Sequence, residues 1–328
     1  MLRVFTIFAI SILVSVGLFE FFGYSFYRDR LRSDVWTDLG TDGLKHIPNV
    51  SGKFHNFEMS YSVSINADGY RDNIEKKSLT AKDWIVLGDS FTFGVGVDFH
   101  EIWHQLLEDH TGVQLYNAGI ASTQVHQFIK NYDTNLSMAN HQGVLMSFFS
   151  RNDFVSVDSP HKFDVSDERN FDYYLWRLLV FLGSKSITYN VLLSAWKDRE
   201  RPVDPTLEGA DIPLEHINYT CKQITGFSEK LAKHGKRFIL AIIPDDSMIL
   251  LSPPERSLYW KSIEEMTQCL KSKNIDVIDP SLSMVASEMH ERKKLYFNVD
   301  RHFSKFGNMI YAQKLIDQGL LRYTGVSK

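Results

Sequence analysis

Two cysteines, Cys221 and Cys269, are all that 328 residues contain, too few for a disulfide framework or a cysteine-based zinc site. Basic residues are not in excess either. Lys and Arg total 36 against 40 Asp and Glu, a net charge of -4, which gives no general attraction for phosphate backbones and argues against nucleic acid as a partner. Internal repeats and low-complexity tracts are absent. At 44% hydrophobic and 23% charged, the chain has enough apolar material for a large core, which excludes a disordered or fibrous protein.

One long hydrophobic run is present, at the amino terminus. No residue from Val4 to Phe19 is charged, and apolar character resumes after Glu20 through Phe21, Phe22, Tyr24, Phe26 and Tyr27. That is roughly the 20 residues a spanning helix needs. No small-residue cleavage site follows, so residues 1–27 are predicted to be an uncleaved transmembrane anchor of a single-pass membrane protein. Arg3 on one side and Arg28, Arg30 and Arg32 on the other leave the orientation open by charge.

Residues 28–82 are polar and turn-rich and read as a linker running into an irregular or hairpin segment, with one short strand marked by Tyr61, Val63 and Ile65. From Asp83 onward, short β-rich apolar runs alternate with longer amphipathic ones. Five strands are predicted at 84–87, 113–116, 144–149, 238–243 and 275–278, with helices at 101–109, 123–139, 214–233, 257–271 and 304–318. The alternation predicts an α/β domain over 83–328 whose parallel sheet carries helices on both faces. Residues 154–213 are too long for an ordinary connection and are read as an insertion at the carboxyl edge of the third strand, either a lid over a site or a packed subdomain.

Directly after the first of these strands come Gly88, Asp89 and Ser90. A serine there is displayed at the carboxyl edge of a parallel sheet, where ligands bind, and Gly88 permits a sharp turn. The glycines at 94 and 96 lack a following lysine, so they do not make a phosphate-binding loop. A nucleophilic serine needs a base, a group to orient the base, and donors for the oxyanion. Asn117, Ala118 and Gly119 follow the second strand, Asn152 follows the third, and Asp300, Arg301 and His302 precede the last helix.

With these blocks in this order across residues 65–320, the chain resembles the SGNH or GDSL family of serine hydrolases. The string 87–97, with Asn66, Gly69 and Arg71 upstream, is similar to membrane-anchored bacterial members. The resemblance implies a flavodoxin-like three-layer sandwich with a five-stranded parallel sheet, and a catalyst that uses no metal or cofactor. It implies Ser90 as nucleophile, His302 as base, Asp300 as its orienter, and an oxyanion hole from Ser90, Gly119 and Asn152. The implied activity is that of an esterase or O-acyltransferase on an acylated glycan or related cell-envelope ester, with an extracytoplasmic catalytic domain. Two positions depart from the pattern: Arg301 stands alone between Asp300 and His302 where two residues are usual, and Ser150 replaces a glycine. Asp279 and Asp153 are the other acids within reach of the sheet edge. A fold kept for binding without turnover is the non-catalytic alternative.

A second motif competes. His100, Glu101 and His104 match the zincin pattern, and His110 falls where a third ligand is placed in the longer form. Leu107 stands where that form has a turning glycine, and on a continuous helix His100 and His110 are about 15 Å apart, too far to share an ion. Asp98 and Glu101 read instead as an acidic capping box.

Overall fold

The structure is a computed structural model that describes residues 6, 10–22, 45–55, 58–155, 212–251, 257–298 and 300–320. Residue 6 and residues 10–22 are helical, the described part of α1, with Leu13 and Phe21 among its exposed apolar side chains. Among the described residues no helix is long and apolar enough to cross a membrane, and the rest of the predicted span lies outside them. Most of the expected insertion, residues 156–211, also lies outside the described residues.

Two strands, β1 (Ser51–His55) and β2 (Ser60–Ser64), form an antiparallel hairpin with His55 opposite Ser60 and Ser51 opposite Ser64. In β2 the serines face solvent while Tyr61 and Val63 are buried, the period-two pattern of a half-covered strand. With Met59 and Ile65 they pack on Phe93. Asn66 then organises a turn: its Oδ1 accepts the Asp68 and Tyr70 amides, each at 3.0 Å. Gly69 there has φ 90, and a Cβ on it would lie 2.6 Å from the His46 carbonyl oxygen.

The main sheet consists of β3 (Trp84–Gly88), β4 (Leu115–Gly119), β5 (Gly143–Phe149), β6 (Arg237–Ile243) and β7 (Asp276–Ile278), all parallel, in the order β4-β3-β5-β6-β7. Numbered by strand alone this is 2-1-3-4-5, the flavodoxin-like order, with its switch point between β3 and β5. Strands β3, β4 and β5 are buried throughout, and the sheet is largely apolar, as parallel strands covered on both sides are. Ile85, Leu87, Val144, Met146, Leu240 and Ile242 point to one face. Trp84, Val86, Leu145, Ile239, Ala241 and Ile243 point to the other.

Five longer helices cover these faces. On the second lie α3 (Trp103–Thr111), through Trp103 and Leu107, and the C-terminal helix Lys305–Asp317, through Tyr311 and Leu315. On the first lie α4 (Val125–Asn131), α5 (Leu214–Lys233) and the helix Leu258–Ser272. A one-turn α2 (Ser90–Phe93) and the short helices α6 (Asp246–Leu250), α8 (Ser281–Val285) and α9 (Met289–Arg292) fill the connections, which makes Leu258–Ser272 α7 and Lys305–Asp317 α10. Cys221 of α5 and Cys269 of α7 are joined in a disulfide. The pair is too small to be a framework, yet it staples two helices on one face of the sheet.

Candidate active site

Strand β3 delivers the chain to the sheet edge at Gly88. A Cβ at that position would collide with the hydroxyls of Ser147 and Thr92, which hydrogen-bond to each other directly behind it. Asp89 is buried, and its Oδ1 caps α2 by accepting the Phe91 amide at 2.9 Å. The turn closes at Gly94, φ 85, where the amides of Gly94 and Val95 donate to the Ser90 carbonyl at 3.0 and 3.1 Å. Ser90 is therefore the first residue of a helical turn, half-buried, and its own amide has no acceptor among the described residues. That is the geometry of an anion site at a chain turn.

His302 arrives from the other end of the sequence. Its Nε2 lies 2.7 Å from Ser90 Oγ, and its Nδ1 bonds Asp300 Oδ1. With Nδ1–H donated to the carboxylate, Nε2 is left to accept the serine proton. The Phe91 ring stacks at a tilt on the imidazole, centroids 4.8 Å apart. Arg301, between acid and base, has φ 70, the left-handed region that side chains avoid. One left-handed residue turns the chain enough for Asp300 to reach the ring across a one-residue gap. The Arg301 guanidinium lies 3.6 Å from Asp246, the first residue of α6.

Of the expected oxyanion donors, Gly119 is at the sheet edge, and its amide donates to Asn117 Oδ1 at 3.0 Å. Its glycine identity has a packing cause, because a Cβ would lie 2.7 Å from the main-chain carbon of Thr92 in α2. The next amide, that of Ile120, is taken by the Gly88 carbonyl at 2.9 Å. The amides of residues 121–123 have no acceptor among the described residues, and Ser122 in their midst has φ 63. Residue type alone does not mark Ser122, since serine there occupies a conformation usual for glycine. Asn152 is exposed at the same rim, and its carbonyl accepts from Gln124 Nε2 at 2.8 Å, which joins its loop to the one after β4.

The other acids are occupied elsewhere. Asp279 Oδ1 accepts both the Ser281 amide at 3.0 Å and its hydroxyl, capping α8. Asp153 is fully buried with Oδ2 on the Phe149 amide at 2.7 Å. Burial, and then the neighbouring Asp89, push the Asp153 carboxyl well above its ordinary range, while burial raises Asp89 to about 6. Two carboxyls packed beneath the nucleophile resist ionising together.

The zincin motif is not on one helix. Asp98 and Glu101 form the capping box of a single 3₁₀ turn over Phe99–Glu101, and α3 starts afresh at Trp103. His104 is buried with Nε2 3.0 Å from the Thr92 carbonyl, to which it donates, and burial lowers it to about 3. His100 is largely exposed beside Glu101. His104 is thus a neutral brace for α2, and no group of His, Cys, Asp and Glu among the described residues is arranged to hold a metal.

No family model matches the chain, and no curated protein matches it. Among solved structures, it is similar to a lipase/acylhydrolase from Enterococcus faecalis, at 15% identity and TM-score 0.44 over 73% of this chain and 96% of that one. It is similar to a member of the lipolytic G-D-S-L family from Veillonella parvula, at 15% identity and TM-score 0.42 over 72% and 96%. A mutant acetylxylan esterase from Geobacillus stearothermophilus aligns at 14% identity and TM-score 0.41 over 76% and 97%.

Proposed function

We propose that this chain is a serine esterase or O-acyltransferase that works through an acyl-enzyme on Ser90. The observation that carries the reading is the hydrogen-bonded series Ser90 Oγ, His302 Nε2 and Nδ1, Asp300 Oδ1, assembled from residues 212 positions apart at the carboxyl edge of a parallel sheet. In this reading Ser90 attacks an ester carbonyl and passes its proton to His302 Nε2. The imidazolium, steadied by Asp300, returns that proton to the leaving alcohol. Water or a second hydroxyl then takes the acyl group from Ser90, and the choice between them separates hydrolase from transferase.

The negative oxygen is met by the Ser90 amide, by the Asn152 side chain, and by an amide of the loop around Ser122 in place of Gly119. The substrate is an acylated glycan or related envelope ester, and the catalytic domain lies outside the cytoplasmic membrane on an amino-terminal anchor. The long uncharged run from Val4 to Phe19 supports the anchor. The Cys221–Cys269 disulfide fits an oxidising compartment.

Labelling with a fluorophosphonate tests the chemistry. The wild type is expected to take the label and Ser90→Ala to refuse it, and a wild type that stays unlabelled would leave a non-catalytic binding protein. Asn152→Ala should still label, but turn over an ester about 10²–10³ times more slowly.

A further inference from the structure

The catalytic acid sits on a loop that is tied from outside the sheet domain. Between Phe297 and His302 the main chain folds back on itself: the Phe297 amide donates to the His302 carbonyl at 2.8 Å, and the Arg301 amide to the Phe297 carbonyl at 3.2 Å. Neither bond holds the amide of Asp300. That group donates instead to Glu58 Oε2, 2.9 Å away and 242 residues earlier in the chain, just ahead of β2. The hairpin that carries Glu58 is firmly seated. Buried Arg71 donates to the Ser62 carbonyl of β2 and to the carbonyls of Phe93, Gly94 and Val97 beyond the nucleophile's helix, and the Ser62 amide donates to Asp98 at 2.7 Å. Gly96 of that same segment lies against the Phe297 ring, at the start of the acid loop.

We infer that Glu58 is a positioning residue for the Asp300–His302 pair, holding the main chain of the acid in place and adding a second negative charge on the acid's side of the imidazole. The inference rests on the serine reading proposed above. Its physical basis is the left-handed Arg301. A side-chain-bearing residue in that region is strained and persists where surrounding contacts over-determine it. With one residue between acid and base, relaxation of Arg301 would swing Asp300 off Nδ1, and the Glu58 bond to the Asp300 amide opposes that swing.

Among the described residues, charged and titratable groups face the pair from several elements. Glu58 and Tyr61 belong to the hairpin, Asp89 to the nucleophile turn with Asp153 behind it, Arg301 to the loop itself, and Asp246 to the segment after β6. Tyr61 is kept neutral, its phenol pushed up to about 12 by burial, and Arg301 is turned to Asp246. The Glu58 carboxylate, bonded to the Asp300 amide, lies on the acid's side of the pair, where its charge adds to that of Asp300 in favouring the imidazolium that forms as Ser90 gives up its proton.

The test is p-nitrophenyl acetate kinetics and fluorophosphonate labelling on the full chain, with Glu58→Ala, Glu58→Gln and Ser90→Ala. Glu58→Ala should lower kcat about tenfold to a hundredfold with little change in KM, the signature of a displaced catalytic group. In Glu58→Gln the amide oxygen still accepts the Asp300 amide, so most of kcat should return. Its lost charge should move the acid limb of the kcat/KM profile to lower pH by about half a unit, because an imidazolium with one anion fewer releases its proton more readily.

An unchanged kcat in Glu58→Ala would overturn the inference. So would equal losses in both variants, with equal falls in melting temperature and an unmoved acid limb, since that is what a merely structural contact produces. Should Glu58→Ala fail to fold, the acid limb of Glu58→Gln decides by itself. A wild type that takes no label would overturn the serine reading and this inference with it, whereas labelling lost in Ser90→Ala beside inert Glu58 variants would overturn this inference alone.

Discussion

A methyl group at position 119 would press on the main chain of Thr92, inside the helical turn that begins with Ser90. Backbone cannot yield as a side-chain tip can, so Gly119→Ala should destabilise the protein by about 1–3 kcal/mol and tilt the nucleophile. Asn152 is exposed, so Asn152→Ala should lower kcat and leave the melting temperature within about a degree. Thermal scans beside ester kinetics separate the two, and a Gly119→Ala protein of native stability would overturn the packing argument for the glycine. The contrast shows which parts of the site can be read without coordinates. Ser90, His302 and Asp300 are legible because each follows or precedes a recognisable element and parallel topology brings such edges together. The direction of an amide is not, since it depends on whether Asn117 Oδ1 or an oxyanion takes the Gly119 proton. Glu58 is illegible for a different reason: no local pattern announces a contact spanning 242 residues.

Elements are joined here by one covalent tie whose energetic effect can be argued. The Cys221–Cys269 bond closes a loop of 48 residues between α5 and α7, and the entropy removed from the unfolded chain corresponds to about 4 kcal/mol. A double Cys→Ala variant, or the wild type with reductant, should lose about 2–4 kcal/mol in urea unfolding while its sheet and site persist. Identical unfolding curves with and without reductant would show that the bond does not form. Strands and long helices are visible in the sequence because burial on two faces writes continuous apolar runs, and because amphipathic periods such as that of α5 extend over several turns. The short α6, α8 and α9 escape detection, since four or five residues cannot display a helical period. The predicted helix over 123–139 is divided by a π-helical turn at Tyr132–Leu136, and the one over 101–109 begins later, at Trp103, because the Asp98–Glu101 box completes a separate turn. Neither interruption changes the hydrophobic pattern that such predictions rely on.

At the scale of the whole molecule, buried ionisable groups set how stability responds to pH. Burial raises the Asp72 carboxyl to about 7, Asp89 to about 6, and Asp153, Asp279 and Glu108 upward as well, and it lowers His104 to about 3 and His141 downward. A raised carboxyl keeps in the folded state a proton that the unfolded chain releases near pH 4, so its stabilisation is complete below that pH and is lost as pH rises through the folded value. A lowered histidine works in the other direction, with stabilisation present above about pH 6.5 and lost as pH falls towards the folded value. Between about pH 4 and 6.5 the two sets oppose each other. Above that window the lowered histidines are neutral in both states, and Asp72, raised to about 7, continues to lose its advantage. The melting temperature should therefore fall between pH 6.5 and 8, and a flat or rising value over that interval would contradict the burial argument. In Asp72→Asn the starting stability should be lower, because both Asp72 oxygens accept amides, from Ile74 at 3.0 Å and Asn117 at 2.8 Å, but the fall with pH should be smaller.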